Sequence, residues 1–215
     1  MNHAPRANPI VTFDLGNVLV RLCPTTQAAA ERAGVPWRPP AHPEQPDEVA
    51  RLLFVWQLGQ LTDDSLFEAW AHALGGRFDP SEARRISESW LLGEFDGVAE
   101  LIGQLRDRGV RLGCLSNTCN HHWQWMLDHP DTFPSLSMLD ERHASHLLGH
   151  MKPDPSIFER YEQAVGCPAH DIVFFDDAAE NVASARERGW QAFQVLADEP
   201  PASQIARALG RLGLI

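Results

Sequence analysis

The chain has 215 residues, a formal net charge of −11 and 44% hydrophobic residues. That hydrophobic fraction can bury a core, which excludes a disordered chain. The acidic balance and the lack of a basic run argue against nucleic acid and an anionic membrane surface as partners. No stretch approaches the about 18 apolar residues of a spanning helix, and the N-terminus lacks the apolar segment of a signal peptide. We therefore expect a cytoplasmic protein, with its four cysteines reduced because none forms a CxxC pair.

The first predicted element is a strand over residues 9–16, where an apolar, β-branched run ends at Asp14 and Gly16. Residues 22–95 follow, and we expect no strand among them. Helices are predicted for three amphipathic stretches of this segment, which are residues 46–60, 62–76 and 80–93. A helical insertion that begins at the carboxyl end of the first strand would cover a ligand site there like a lid.

Strands and helices alternate after residue 96. Further strands are predicted at residues 111–117, 171–177 and 190–195, with a weaker candidate within 135–148, and helices at 96–109, 154–166 and 178–189. This alternation predicts right-handed crossovers and a parallel sheet. We expect an α/β fold in which a Rossmann-like parallel sheet core, residues 1–21 and 96–215, carries a small helical cap, residues 22–95, inserted after the first strand.

Polar residues stand where several predicted strands end. They are Asp14, then Ser116 and Asn117, then Asp176 and Asp177. Because the carboxyl ends of parallel strands meet at one edge of a sheet, these side chains should lie together. Three carboxylates in one cleft repel each other unless a cation lies among them, and oxygen ligands favour Mg²⁺. One carboxylate can then attack phosphorus while the metal ion holds the phosphoryl oxygens.

Lys152 is the only lysine in a chain that has 17 arginines. It precedes a predicted helix and can project onto the same edge of the sheet. A compact ammonium group suits a pocket shared by carboxylates and a phosphate, where a planar guanidinium is too large. We predict that Lys152, Ser116 and Asn117 contact the phosphoryl group.

Four segments together resemble the haloacid dehalogenase (HAD) superfamily, whose members are mostly phosphatases. "FDLGNVLV" at 13–20 resembles its first motif, "CLSNT" at 114–118 the second, "HMKPDPSIF" at 150–158 the third and "VFFDDAAEN" at 173–181 the fourth. Because all four occur in order, the match is more specific than any single motif. The helical segment falls where the helical-cap type of this superfamily carries its cap.

The resemblance implies roles for individual residues. Asp14 is the nucleophile that forms an aspartyl-phosphate, and Ser116 and Lys152 assist it. Mg²⁺ is bound by Asp14, by the backbone carbonyl of Gly16 and by Asp177, with Asp176 in the first or second coordination shell. The implied substrate is a small phosphorylated metabolite, with sugar phosphates among the candidates. Tryptophans of the cap, if exposed, would suit a homodimer.

The first motif departs from the family pattern at Gly16, where the usual residue is an aspartate that protonates the leaving group. Such a proton transfer is commonly worth about 10²–10⁴-fold in rate. Three interpretations stay open: a phosphatase that manages without this acid, a dehalogenase-type hydrolase, and a HAD-fold binding or regulatory module with little turnover. His122, just beyond Ser116, is a candidate for contacting the phosphate or replacing the acid because histidine titrates in a useful range.

Overall fold

The computed structural model describes residues 9–215. Residues 1–8, the start of the predicted core segment 1–21, lie outside this range together with most of the N-terminal stretch considered above for a signal peptide. The elements in chain order are β1 (Ile10–Phe13), β2 (Val20–Leu22), α1 (Thr26–Arg32), α2 (Pro46–Gln57), α3 (Asp63–Ala73), α4 (Pro80–Glu88), β3 (Leu91–Glu94), α5 (Val98–Asp107), β4 (Arg111–Ser116), α6 (Asn120–Asp128), α7 (Pro134–Met138), β5 (Glu141–Ala144), α8 (Ser145–Leu148), α9 (Pro155–Val165), β6 (Ile172–Asp176), α10 (Ala179–Glu187), β7 (Gln191–Gln194) and α11 (Pro201–Arg211).

The central sheet has five parallel strands in the order β5–β4–β1–β6–β7, which confirms the predicted α/β fold with a Rossmann-like sheet. The first strand lies in the middle, between β4 and β6. Phe13, its last residue, is in register with Cys114 and with Phe175. The carboxyl ends of the three central strands therefore lie side by side, as the site requires.

Helices cover both faces of the sheet because the buried strands present apolar side chains in both directions. Val11 and Phe13 of β1 pack into one core with α5 and α11, which contribute Leu105 and Leu209. Ile10 points to the opposite face and packs into a second core with α9 and α10. The result is a three-layer arrangement that fixes β1, and with it Asp14, between two cores.

The predicted helical segment contains four helices, α1 to α4, around an apolar core of its own. Polar residues cap two of these helices. The Thr62 side chain accepts a hydrogen bond from the Ser65 amide at the start of α3, and Asp79 and Glu82 form a capping box at the start of α4. The expectation that no strand lies between residues 22 and 95 is wrong. β3 pairs antiparallel with β2, so the chain enters and leaves the segment through a two-stranded ribbon. The exact limits of the cap, residues 22–95, stay a prediction.

The expected helix over residues 80–93 is too long because α4 ends at Glu88. The residues of β3 alternate between buried and half-buried, as in a strand. The sequence could not show this alternation, because Leu91, Leu92 and Gly93 are all apolar or small.

Trp56 and Trp70 are buried inside the cap, so neither offers the exposed surface on which a homodimer was expected, and the homodimer stays a prediction. All four cysteines are buried and free. Within residues 9–215 no helix is both long and apolar enough to cross a membrane.

A buried hydrogen bond holds the central strand against helix α9. Thr12 Oγ1 lies 2.8 Å from the Tyr161 hydroxyl, and both side chains are fully buried. Gly113 of the neighbouring strand leaves room for that hydroxyl, because a Cβ at this position would collide with it and would lie 3.2 Å from Ile10 Cδ1. The glycine is therefore required by a close approach, in register with Thr12, which lies two residues before Asp14.

We predict that Gly113→Ala lowers the free energy of unfolding by about 1–3 kcal/mol, because the added methyl group overpacks a buried site. The matched control is Gly103→Ala in α5, where the Cβ position is open. There the change should stabilise the protein by about 0.5–1 kcal/mol through helix propensity. Chemical denaturation of both variants measures the difference, and equal stabilities would contradict the packing described here.

Candidate active site

Asp14 stands at the first position after β1. Its amide donates to the Phe175 carbonyl at 2.8 Å, which continues the β1–β6 ladder to this residue. Its Oδ1 accepts from the Leu15 amide at 2.7 Å and lies 3.0 Å from Lys152 Nζ. Within residues 9–215 no hydrogen bond reaches Oδ2, so this oxygen is free to meet a ligand.

Lys152 lies between two carboxylates. Its ammonium is 2.6 Å from Asp176 Oδ2 and 3.0 Å from Asp14 Oδ1, and the side chain is completely buried. Burial alone lowers the pKa of a lysine, but Asp14 and Asp176 outweigh it and raise the pKa of Lys152 above its usual range. The lysine is therefore a fixed positive charge at neutral pH.

The Asn117 side chain is bonded to the backbone of Lys152. Its Nδ2 donates to the Lys152 carbonyl at 2.8 Å, and its Oδ1 accepts from the Lys152 amide at 2.9 Å. Both ends of the amide are thus committed to the lysine backbone. This side chain therefore positions Lys152, and the contact of Asn117 with phosphate stays a prediction.

The two adjacent aspartates have different surroundings. Asp176 is fully buried, and its carboxylate accepts from Lys152, from the Ala178 amide at 2.9 Å and from Asn181 Nδ2 at 2.9 and 3.1 Å. Asp177 is half-buried and accepts one side-chain hydrogen bond, from Asn17 Nδ2 at 3.0 Å. Asp176 is thus locked in place, while Asp177 keeps oxygens free to bind a ligand.

Asp14, Asp176 and Asp177 each present an oxygen, and these oxygens lie within 4.8 Å of one another. The Gly16 carbonyl accepts no hydrogen bond from residues 9–215. A set of carboxylates and a carbonyl fits a hard divalent cation such as Mg²⁺, which prefers oxygen ligands and keeps several waters. The residues present therefore suit the expected ion, with Asp177 better placed to bind it directly than the fully hydrogen-bonded Asp176.

Ser116 ends β4 on the same side of the sheet. Its side chain is buried, and its hydroxyl makes no hydrogen bond within the described part of the chain. Ser116 and Gly16 both line a cavity that opens beside the carboxylates. The hydroxyl is therefore available to donate to a bound group next to Asp14.

His122 does not join this cluster. It lies in α6, and its Nε2 is 2.9 Å from both the hydroxyl and the backbone carbonyl of Ser87, a residue of α4. Burial lowers the pKa of His122 to about 4, so the ring is neutral at pH 7. Because a carbonyl only accepts, Nε2 carries the hydrogen and is already bonded. The expected contact of His122 with phosphate is corrected: the ring joins the cap to the core.

Two positioning residues were missed by the sequence analysis. Asn17 adopts a left-handed backbone conformation with φ of 54°, and this turn aims its amide at Asp177. An asparagine directly after a strand and a glycine is a recognisable turn pattern, and asparagine tolerates this conformation. Ser87, the partner of His122, carried no comparable sequence pattern because its role depends on a contact between distant segments.

Burial raises the pKa of Asp14 from 3.8 to about 6; Lys152 opposes this rise, and the neighbouring Asp176 and Asp177 add to it. The folded protein therefore binds this proton more tightly than the unfolded chain does. It follows that the metal-free protein loses stability as the pH rises from 3.8 to about 6, the window between the two pKa values.

We predict that Asp14→Asn stabilises the metal-free protein at pH 7 by up to about 3 kcal/mol, because the amide cannot ionise in this buried place. Well below pH 3.8 the two proteins should be nearly equal in stability, since Asp14 is then protonated in both the folded and the unfolded state. Urea denaturation with a chelator, at several pH values, measures the difference. Asp107→Asn on the exposed face of α5 is the control, and it should show no change. A wild type as stable as Asp14→Asn at pH 7 would contradict the raised pKa.

Comparison with known proteins gives relatives of several activities. Phosphatase MT3486 of Mycobacterium tuberculosis is 28% identical over 117 residues, which is 52% of this chain and 51% of that protein. Drimenol cyclase drtB of Aspergillus calidoustus is 25% identical over 142 residues, or 62% of this chain and 25% of that protein. The chain thus spans between a quarter and about half of the length of these relatives.

Solved structures share the fold. HAD family enzyme bt-2542 from Bacteroides thetaiotaomicron superposes with a TM-score of 0.76 at 20% identity, covering 90% of this chain and 96% of that one. The same enzyme in complex with magnesium and inorganic phosphate gives a TM-score of 0.71. The model of the haloacid dehalogenase-like hydrolase family matches residues 9–189, most of the chain. This protein belongs to the haloacid dehalogenase-like hydrolase family.

Proposed function

We propose that this protein is a Mg²⁺-dependent hydrolase of small phosphate monoesters that works through an aspartyl-phosphate on Asp14. The observation that carries the proposal is the convergence of Asp14, Asp176 and Asp177 around Lys152 beside an open cavity. Two comparisons support it. MT3486 is named a phosphatase, and bt-2542 binds magnesium with inorganic phosphate.

The charges at the site suit a dianionic phosphate. Three carboxylates face one ammonium group, so the site carries an excess of negative charge and would repel the substrate. A bound Mg²⁺, held by Asp14, Asp177 and the Gly16 carbonyl, would supply positive charge and coordinate phosphoryl oxygens. Lys152 keeps Asp14 ionised and oriented, and the free Ser116 hydroxyl donates to a phosphoryl oxygen.

The reaction has two displacements. A carboxylate oxygen of Asp14 attacks phosphorus, and the bond from phosphorus to the organic oxygen breaks as that oxygen leaves with the electron pair. A water then attacks the phosphorus of the aspartyl-phosphate, which restores the Asp14 carboxylate and gives inorganic phosphate. Both protons of the water stay on the phosphate, which is released as H₂PO₄⁻, and the departing oxygen takes its proton from solvent.

The dehalogenase alternative fits the acidic cluster less well. Displacement of a halide from carbon needs one carboxylate and gains nothing from two further carboxylates next to it. Asp176 and Asp177 would only raise the pKa of Asp14 and so lower the fraction of it that is ionised. If a divalent cation binds the phosphoryl oxygens, the negative charge of both aspartates stabilises that cation.

We expect the protein to hydrolyse aryl phosphates in the presence of Mg²⁺ and to lose the activity when a chelator removes the ion. Asp14→Asn should reduce kcat by at least about 10³-fold, because the amide is a poor nucleophile and the covalent step is lost. Release of inorganic phosphate measures both effects. Acid-quenched protein should also carry a phosphoryl group on the peptide that contains Asp14, detectable by mass spectrometry.

The matched control for that experiment is Asp107→Asn, which changes an exposed aspartate at the end of α5, outside the charged cluster, and should keep full activity. Turnover that survives metal removal would contradict the proposed role of Mg²⁺. A protein that hydrolyses no phosphate ester, with or without Mg²⁺, would instead favour a binding or regulatory module.

A further inference from the structure

We propose that the substrate is an aryl phosphate: its organic group is an aromatic ring system that fills the apolar cavity under the cap and departs as a phenolate. This inference rests on the proposed phosphatase function and goes further by naming the chemical class of the leaving group. Two independent observations carry it. One is the lining of the cavity, and the other is the absence of a free acid along it.

The cavity has a volume of about 330 Å³ and lies between the cap and the sheet. One end is formed by Leu15, Gly16 and Ser116, next to the nucleophile. Large apolar side chains dominate the rest of the lining, among them Val49, Leu53, Trp56, Trp70, Trp90 and Met126. A phosphate held at Ser116 therefore has its ester oxygen facing an apolar space.

Fewer polar than apolar side chains line this cavity, and several of the polar ones are already engaged. His122 and Ser87 are bonded together, and the Asn117 side chain holds Lys152. Because apolar side chains dominate the lining, most hydroxyls of a sugar would lose hydrogen bonds to water without replacing them, which costs free energy for each group. An aromatic ring has no hydrogen bonds to water to lose, and it gains contact with three indole side chains. This argues against the sugar phosphates among the candidates considered from the sequence.

The size of the space sets the size of the ring system. A cavity of about 150 Å³ lined by apolar side chains is known to accept benzene. The present cavity is roughly twice as large, so two fused rings fit where one would leave a void. We therefore expect a naphthyl group to bind better than a phenyl group.

Within residues 9–215, no acid along the cavity is free to protonate a leaving oxygen. Gly16 has no side chain, and the titratable residues along the cavity are His122 and Cys119. The Nε2 hydrogen of His122 is bonded to Ser87, and the thiol of Cys119 lies against the His122 amide. An unassisted oxygen has to leave as an anion. A phenol, with a pKa of about 10, does so far more readily than an aliphatic alcohol.

Kinetics with four substrates test both parts of the proposal in the presence of Mg²⁺. We expect kcat/KM for 2-naphthyl phosphate to exceed that for phenyl phosphate by about tenfold, mainly through KM, because one more ring is buried. 2-Naphthylmethyl phosphate has the same rings but an alcohol as leaving group, and its kcat should be at least about 10²-fold lower. Glucose 6-phosphate should be poorer still.

A space-filling variant locates the ring. Leu53→Trp narrows the cavity from α2 and should raise KM for 2-naphthyl phosphate about tenfold while changing KM for phenyl phosphate less than about threefold. The matched control is Phe54→Trp, because Phe54 is the next residue, is 53% exposed and does not line the cavity. Val49→Phe fills the same space with a smaller addition and gives a second measurement if Leu53→Trp does not fold.

The outcomes separate the two proposals. Faster hydrolysis of glucose 6-phosphate, 2-naphthylmethyl phosphate or an isoprenyl phosphate such as geranyl phosphate would overturn the aryl assignment and leave the phosphatase function in place. Equal effects of Leu53→Trp on both aryl substrates would also overturn it. The absence of Asp14-dependent turnover with every ester would overturn both the phosphatase function and this assignment.

Discussion

The site depends on one buried ammonium group held between two carboxylates. Lys152 contacts Asp14 and Asp176 at 3.0 and 2.6 Å with no exposure of its side chain to solvent. Removing three ionised groups from water is expensive, and their mutual attraction repays that cost only when the geometry is fixed. The cluster is therefore not expected to add to the free energy of folding. It keeps the Asp14 carboxylate charged and oriented where burial favours its protonation, as the proposed nucleophile requires.

Fixed geometry comes from residues around the charged cluster. Asn117 holds the backbone of Lys152 with both ends of its amide, and Asn181 holds Asp176. Asn17 does the same for Asp177 from the turn that follows Asp14. Behind them, the Thr12–Tyr161 hydrogen bond and the two cores fix β1. Rigid support of this kind lets charged groups act without reorganising during the reaction.

Much of this was predictable from the sequence. Parallel strands end at one edge, so Asp14, Ser116 and Asp176 could be placed together from strand ends alone, and the single lysine among many arginines drew attention to Lys152. The sequence did not show which residues the polar side chains would bond to. The amide of Asn117 and the ring of His122 suit a phosphate by type, but each is already bonded to a residue about 35 positions away in sequence. Strand β3 was missed because a strand this short shows too little alternation of apolar and polar residues to be recognised. The apolar character of the cavity was also hidden, because helix periodicity does not tell a core tryptophan from one that also lines a cavity.

The charged cluster can be tested directly because the chain has a single lysine. Protein labelled with ¹⁵N-lysine should give one ammonium resonance, that of Lys152, free of overlap. We predict that this resonance stays that of a protonated amine past pH 10.5, the ordinary pKa of the group, and that Asp14→Asn lowers its pKa measurably. A lysine that titrates at or below its ordinary pKa, or one that does not respond to Asp14→Asn, would contradict the ion cluster on which the proposed function rests.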